Sequence, residues 1–288
     1  MNRQVEAMQD PEWNKAAEII SPNRASEPIL LVEGKLDRFV LMEKWQEIHR
    51  DVSRNIRIQR AGNKKEKGGK EFVLAEFKER RKKDLIFALV DMDHDFEGEK
   101  IGFSSSVYDT RPFVTLATHY FPDDEAAKKF IRSVVSEIGG NYGNKLNDQI
   151  VESIVRISKV LTWIKLFKGQ HIKGGTYHNL KWEKIDNNIS SDSEFQKHIY
   201  YLQTRDKSMT QSFLRYTEVN AARLETCGIN DHSLSDTIWL WLLHCDSKFT
   251  YNVKKSIDKI YILTCILEKS SEKDDEFILK LRDNITQK

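Results

Sequence analysis

The feature that most constrains this chain is a run of apolar residues that ends in a cluster of acids. Six consecutive residues, Leu85 to Val90, are apolar, and Asp91, Asp93 and Asp95 follow at once. A short uninterrupted apolar run is typical of a strand that is buried on both faces of a parallel sheet. The sequence therefore predicts a strand over 85–90 with carboxylates at its carboxyl end.

Three more strands and three helices are predicted before residue 140. Ile29–Val32 is another continuous apolar run, and it ends at Glu33-Gly34. Elsewhere apolar residues alternate in short stretches or recur at helical spacing in longer ones. Strands that alternate with helices indicate βαβ units and a parallel sheet. The predicted strands are about 29–32, 56–58, 85–90 and 114–117, and the predicted helices are about 37–50, 73–83 and 123–138.

The chain changes character near residue 140. The stretch Gly139–Gly143 is a predicted break, and nearly everything after it shows helical spacing. We predict an N-terminal extension over 1–28, an α/β domain over 29–140 with helices flanking a parallel sheet, and a mainly helical domain over 141–288. The helices predicted in that last domain are about 146–167, 192–204, 208–225, 234–245, 250–268 and 272–285.

Composition excludes several classes of protein. The net charge is only +2 although 31% of residues are charged, so a nucleic-acid surface requires local clustering of basic residues. No stretch approaches the ~18 apolar residues of a membrane span, and the amino terminus lacks a secretion signal. Cys227, Cys245 and Cys265 are widely spaced, which argues against a disulfide framework or a zinc ribbon. We expect a cytoplasmic protein with no membrane partner.

The acids at the strand ends predict a metal site. In parallel sheets, ligands collect at the carboxyl ends of the strands, and Glu33 and Asp91 each close a predicted strand. Several carboxylates at one edge raise each other's pKa unless a cation neutralises them. Oxygen ligands favour Mg²⁺ or Mn²⁺, and such an ion can activate water against a phosphodiester. The pattern therefore predicts metal-dependent phosphodiester cleavage.

Three segments resemble the TOPRIM family. The segment LVEGKLD at 31–37 is similar to the first TOPRIM motif, a strand with a Glu-Gly turn, and LVDMDHD at 89–95 is similar to the second, a strand followed by D-x-D. Between them, GGKEF at 68–72 matches a glycine-plus-lysine element of the OLD-like nucleases and of small TOPRIM proteins in phage-defence operons. The resemblance covers about 29–125 and implies a TOPRIM-type sheet.

The resemblance also implies roles for individual residues. Glu33 would be a general base or a metal ligand, and Lys70 would lie near the scissile phosphate. Topoisomerase-type members carry Glu where this chain has Asp95, so the geometry of a second metal stays open. The implied ligands of the Mg²⁺ or Mn²⁺ are Glu33, Asp91, Asp93, Asp95 and Asp37.

Basic residues around these motifs are predicted to bind nucleic acid. Lys64, Lys65 and Lys67 lie in the glycine-rich loop, and Arg81 and Lys82 lie at the end of the second predicted helix. Such side chains can neutralise phosphates, which makes binding dependent on salt. A charged face that only contacts solvent is the alternative interpretation.

The three segments also resemble those of the TOPRIM effectors of PARIS-type anti-phage systems. This resemblance implies a nuclease held inactive by an ABC-type ATPase in trans, released on infection, and cutting host RNA such as transfer RNA rather than DNA. No G-x-x-x-x-G-K-[ST] motif occurs in the chain, in agreement with ATP hydrolysis by another subunit. The helical domain is expected to set substrate shape, docking to the ATPase and formation of a homodimer when the enzyme is active.

Other interpretations of the same residues stay open at this point. One is a DNA-cleaving OLD-like nuclease, and another is a non-catalytic TOPRIM interaction module whose acids only cap helices. A topoisomerase or primase is disfavoured, because the chain has no evident gate domain or zinc module.

Overall fold

The computed structural model describes most of the predicted elements. The described residues are 28–34, 36–38, 40–42, 56–61, 69–81, 85–92, 106–111, 113–138, 142–171, 180–246 and 276–286.

Four strands form one parallel sheet, in the order β2-β1-β3-β4. In β1 and β3 every residue is buried, which explains why these central strands appear as continuous apolar runs. The register pairs Ile29 with Arg57 of β2 and Leu31 with Ala88 of β3. The strands are β1 (Ile29–Val32), β2 (Arg57–Arg60), β3 (Ile86–Val90) and β4 (Val107–Asp109). The α/β class and the first three predicted strands are confirmed.

The fourth predicted strand, 114–117, is wrong. Residues 113–115 form a bend, and a 3₁₀ helix covers Leu116–Tyr120. The apolar residues there are buried, but Val114 N–H donates to Cys227 O (3.1 Å) and not to a strand. The true fourth strand, β4, has only three residues, which is too short to show an alternating pattern.

Helices in the first part of the chain agree with the prediction where they are described. Residues 36–38 and 40–42 are helical, and the remainder of the helix predicted over 37–50 lies outside the described residues. Helix α1 (Lys70–Arg80) buries Val73 and Phe77 and contacts β1.

The remaining described helices are mostly those predicted from periodicity. The predicted helix 208–225 is interrupted at Asn220, whose side-chain amide donates to Tyr216 O (3.0 Å) and whose own carbonyl accepts from Leu224 N–H (2.9 Å). The predicted helix 250–268 lies outside the described residues. The helices are α2 (Asp124–Ile138), α3 (Tyr142–Lys145), α4 (Asp148–His171), α5 (Asp192–Thr204), α6 (Thr210–Val219), α7 (Ala221–Thr226), α8 (Asp231–Cys245) and α9 (Glu276–Thr286), with a 3₁₀ turn at Trp182–Lys184.

Helix α4 is the centre of the helical core. It contacts α2, α5, α6 and α8. At its carboxyl half, Phe167 meets Phe213 edge-on, with ring centroids 5.6 Å apart, and Phe213 stacks on Tyr200 at 4.7 Å. These three rings are almost fully buried, and each contributes roughly 1.5–3 kcal/mol through burial of apolar surface.

The chain divides into two compact units. Among the described residues, one unit contains β1, β2, α1, nearly all of β3, most of β4 and α9, and the other contains the 3₁₀ helix Leu116–Tyr120 and helices α2 to α8. Helix α2 falls in the helical unit and α9 in the unit that contains the sheet, and the domain boundary near residue 140 stays a prediction. Among the described residues, no helix has both the length and the apolar character needed to cross a bilayer.

Candidate metal centre

Glu33 is the first polar residue after the buried strand β1. All four residues of β1 are buried, whereas Glu33 is half-buried, so the chain leaves the interior of the sheet at this residue. The carboxyl end of a parallel strand is where α/β sheets bind their ligands. Glu33 is therefore placed as the sequence predicted, at the end of its strand.

Asp37 holds the turn that follows Glu33. The Gly34 N–H donates to Asp37 Oδ2 at 2.8 Å, and the Arg38 N–H donates to Gly34 O at 3.3 Å. This is half of a capping box, in which a side chain in the first helical turn accepts from the capping residue. A Cβ at position 34 would lie 3.1 Å from Asp37 Oδ2, so glycine allows the close approach. The capping hydrogen bond therefore explains the position of Asp37, four residues after Glu33, independently of any metal.

Lys70 begins helix α1 and is half-buried. The preceding Gly69 has φ of 154°, a value that side chains rarely adopt, and its carbonyl accepts from Phe72 N–H (3.1 Å) and Val73 N–H (3.2 Å). The second glycine of the GGKEF element is therefore required by the backbone at the helix start. A basic side chain beside the amides of a first helical turn suits a phosphate group.

Asp91 follows β3 and is half-buried. Its Oδ1 accepts from the Leu116 N–H at 3.1 Å, at the first residue of the 3₁₀ helix. Both of its neighbours are bonded to Thr110: Val90 O accepts from Thr110 N–H (3.2 Å), and Met92 N–H donates to Thr110 Oγ1 (3.0 Å). Three hydrogen bonds thus hold the turn and its carboxylate in one orientation.

Thr110 was not singled out from the sequence. It is fully buried, and its hydroxyl also donates to Phe113 O at 3.0 Å. A lone threonine after a three-residue strand carries no pattern that marks such a role. The role of Thr110 is visible only in the tertiary structure, because its hydrogen bonds to Val90 and Met92 require β3 and β4 to lie side by side.

The strands that carry the two acids are neighbours. β1 and β3 are parallel, and their register places Leu31 beside Ala88, so Glu33 and Asp91 each follow the carboxyl end of an adjacent strand. The sheet confirms that β1 and β3 are neighbouring strands. Joint binding of a metal by these acids stays a prediction.

The donor chemistry of the described acids fits a hard cation. Glu33, Asp37 and Asp91 offer only oxygen, and carboxylates that bind metals are commonly hydrogen-bonded, as Asp37 and Asp91 are here. In the described part of the chain, no three acidic, histidine or cysteine side chains are grouped closely enough to hold a metal ion. Two of the five predicted ligands, Asp93 and Asp95, lie outside the described residues.

The structure describes one of the five residues that were predicted to contact nucleic acid. Arg81 is exposed at the carboxyl end of α1, with its backbone N–H donating to Phe77 O. The other four, Lys64, Lys65, Lys67 and Lys82, lie outside the described residues.

Comparisons with known proteins do not extend these observations. No protein-family model matches the chain, and no curated protein matches it significantly.

Proposed function

We propose that the chain is a Mg²⁺-dependent phosphodiesterase of TOPRIM type that cuts RNA in preference to DNA. One observation carries the proposal: two adjacent parallel strands, each fully buried, end directly in a carboxylate, Glu33 and Asp91. Acids at the carboxyl edge of such a sheet are placed where a phosphate-bound cation would be held. The chain further offers Lys70 at the start of a helix that contacts β1.

The proposed roles follow from the chemistry of each side chain. Glu33, Asp91 and Asp93 would hold the ion, with Asp95 and Asp37 as further ligands of Mg²⁺ or Mn²⁺. When bound, a divalent ion supplies an acidified water and offsets the charge that develops on the phosphate. Thr110 and the Leu116 N–H position Asp91, and Lys70 neutralises phosphate charge on the substrate.

The resemblance to defence effectors extends the proposal beyond the chemistry. From this resemblance we also propose that an ABC-type ATPase in trans restrains the nuclease. We propose further that the active form is a homodimer and that transfer RNA is the substrate class. A nuclease with broad activity damages its own cell, and this gives a physical reason for a restraining partner.

A second candidate function is a non-catalytic interaction module. The observation that favours it is that Asp91 and Asp37 both accept backbone hydrogen bonds as caps, a role that needs no metal. The two functions differ in whether the negative charge at these positions matters, since an amide oxygen can cap equally well.

Amide substitutions separate the two functions. Glu33→Gln removes the charge, and Asp91→Asn removes it while keeping an oxygen that can accept from the Leu116 N–H. We expect the purified chain to cleave total RNA with Mg²⁺ and not with EDTA. Each variant should lose about 100-fold in rate, the upper end of the loss that is typical when groups supporting a metal site are changed. Gel analysis of RNA and plasmid DNA measures both substrates.

The control is Glu79→Gln, an exposed acid on α1. It should retain full activity, and thermal unfolding should show that all three variants are folded. Cleavage that resists EDTA, or that persists in folded Glu33→Gln, would exclude the metal-dependent mechanism. Intact RNA and DNA with the restraining partner absent would favour the interaction module.

A further inference from the structure

A long groove runs along one face of helix α4, within the helical unit. Its volume is about 1100 Å³, and its walls come from α4, α5, α6, α7 and the start of α2. Its lining includes apolar and aromatic side chains, among them Trp163, Phe195 and Leu214, together with polar and charged ones. None of the described residues that were predicted to bind metal or nucleic acid lines it.

The length of the groove suits a segment of polypeptide. Its α4 lining extends from Gln149 to Trp163, and these 14 steps at a rise of 1.5 Å give about 21 Å. Pockets for drug-sized ligands usually have volumes of roughly 300–1,000 Å³, so the groove lies just above that range. A helix of three to four turns laid along the groove would match both its length and its apolar interior.

Charge decides what kind of segment fits. Two bases line the groove, and both are already paired: Lys159 Nζ lies 3.1 Å from Asp124 Oδ1 and 2.9 Å from Glu225 Oε2, and Arg156 lies 2.8 Å from Asp192 Oδ1. Two bases stand against five acids in the lining, and Lys128, outside the lining, forms an ion pair with one of these acids, Glu152. The lining together with Lys128 therefore carries a net charge of −2. The five acids are Asp124, Glu152, Asp192, Glu218 and Glu225. Nucleic acid, whose phosphates need free cations, does not fit such a groove.

The rim of the groove next to α7 is where a partner would gain the most binding energy. Glu218 is exposed, and its carboxylate has no ion pair or hydrogen bond with the described residues. Val219 beside it is 73% exposed, the highest value for a large apolar side chain in the described part of the chain. An acid and an apolar side chain that are both exposed beside a groove match the two faces of a basic amphipathic helix.

We propose that this groove binds an amphipathic helix of a partner protein that carries lysine or arginine on its polar face. Leucine-type side chains of the partner insert between Trp163 and Leu214, and its cations meet Glu218 and the neighbouring acids. The proposal stands apart from the metal centre and holds whether or not the chain is a nuclease.

A designed peptide tests the groove directly. The probe is a fluorescein-labelled 14-residue helix with leucine on one face and lysine on the other, titrated with the full chain and followed by anisotropy. We expect saturable binding that weakens as salt is added, and little binding of the same peptide with glutamate in place of lysine. Glu218→Lys should weaken binding about tenfold, because a like charge then faces the peptide.

Two matched pairs of variants locate the binding site. Ala221→Tyr fills the groove without a change of charge, whereas Ala222→Tyr places the same ring on the exposed neighbouring position outside the lining. Likewise Glu183→Lys reverses an exposed acid outside the groove and controls for Glu218→Lys. We expect Ala221→Tyr and Glu218→Lys to lose affinity and both controls to keep it.

Several outcomes would overturn the proposal. Equal affinity of the lysine and glutamate peptides would remove the charge argument, and equal loss in Ala221→Tyr and Ala222→Tyr would place binding elsewhere. Binding of a linear polyamine in the groove, with no binding of the peptide, would show a small-molecule site instead.

Discussion

Replacing Thr110 by valine tests how the chain orients the turn that carries Asp91. Valine has nearly the same shape but no hydroxyl. The change leaves two groups without their partner in a site where Thr110 is fully buried: the Met92 N–H at 3.0 Å and the Phe113 carbonyl at 3.0 Å. Each unsatisfied buried group costs about 1–3 kcal/mol, so we expect Thr110→Val to lower the free energy of unfolding by about 2–6 kcal/mol.

Urea unfolding followed by circular dichroism measures this difference. Thr110→Ser keeps the hydroxyl and loses one methyl group, so it should cost only about 0.5–1.5 kcal/mol. Thr226→Val is the matched control, because Thr226 also donates to a backbone carbonyl, Arg223 O at 3.0 Å, but is exposed. It should change the stability by no more than about 0.5 kcal/mol.

The order of the three variants decides the interpretation. If Thr110→Val is no more destabilising than Thr110→Ser, the buried hydroxyl does not hold the Asp91 turn and the hydrogen-bonding argument fails. If RNA cleavage is observed, a loss of rate in folded Thr110→Val that is absent in Thr110→Ser would identify Thr110 as a positioning residue, because only serine keeps the hydroxyl.

Two further predictions concern the helical core. Phe213→Ala removes a fully buried ring that contacts Phe167 and Tyr200, and we expect a loss of about 3–5 kcal/mol in urea unfolding; a loss below about 1 kcal/mol would contradict the aromatic cluster as the centre of this core. Burial raises the pKa of the Cys227 thiol to about 12, so at pH 8 it is protonated and inaccessible. In a Cys245→Ser, Cys265→Ser background, a thiol-specific reagent should label the native chain far more slowly than the chain in urea, and equal rates would show that Cys227 is exposed.

Much of the sheet could be predicted because its signals are local. The buried strands β1 and β3 are continuous apolar runs, and apolar and polar residues alternate around β2. Each strand can therefore be recognised from a few consecutive residues. The acids that follow two of these strands are equally visible. Helices such as α5, predicted over 192–204 and observed at Asp192–Thr204, show their apolar residues at regular spacing.

The candidate site was predictable only in outline. That Glu33 and Asp91 end adjacent strands follows from the βαβ pattern, but the capping bonds of Asp37 and Asp91 do not, because the partner of Asp91 is the amide of Leu116, 25 residues further along the chain. In the structure, Asp37 and Asp91 both accept backbone hydrogen bonds. The sequence pattern alone could not distinguish this capping role from metal binding.

Taken alone, the amino-acid sequence determined the α/β class, three of the four strands, most of the helices, and the position of acids at the strand ends. These properties depend on hydrophobic patterns that span a few residues. Tertiary structure alone decided that β4 joins the sheet, that residues 114–120 bend into a 3₁₀ helix, and that a groove opens along α4. Each of these features depends on hydrogen bonds or packing between segments that are distant in the chain. A local sequence pattern does not indicate which distant segments will meet.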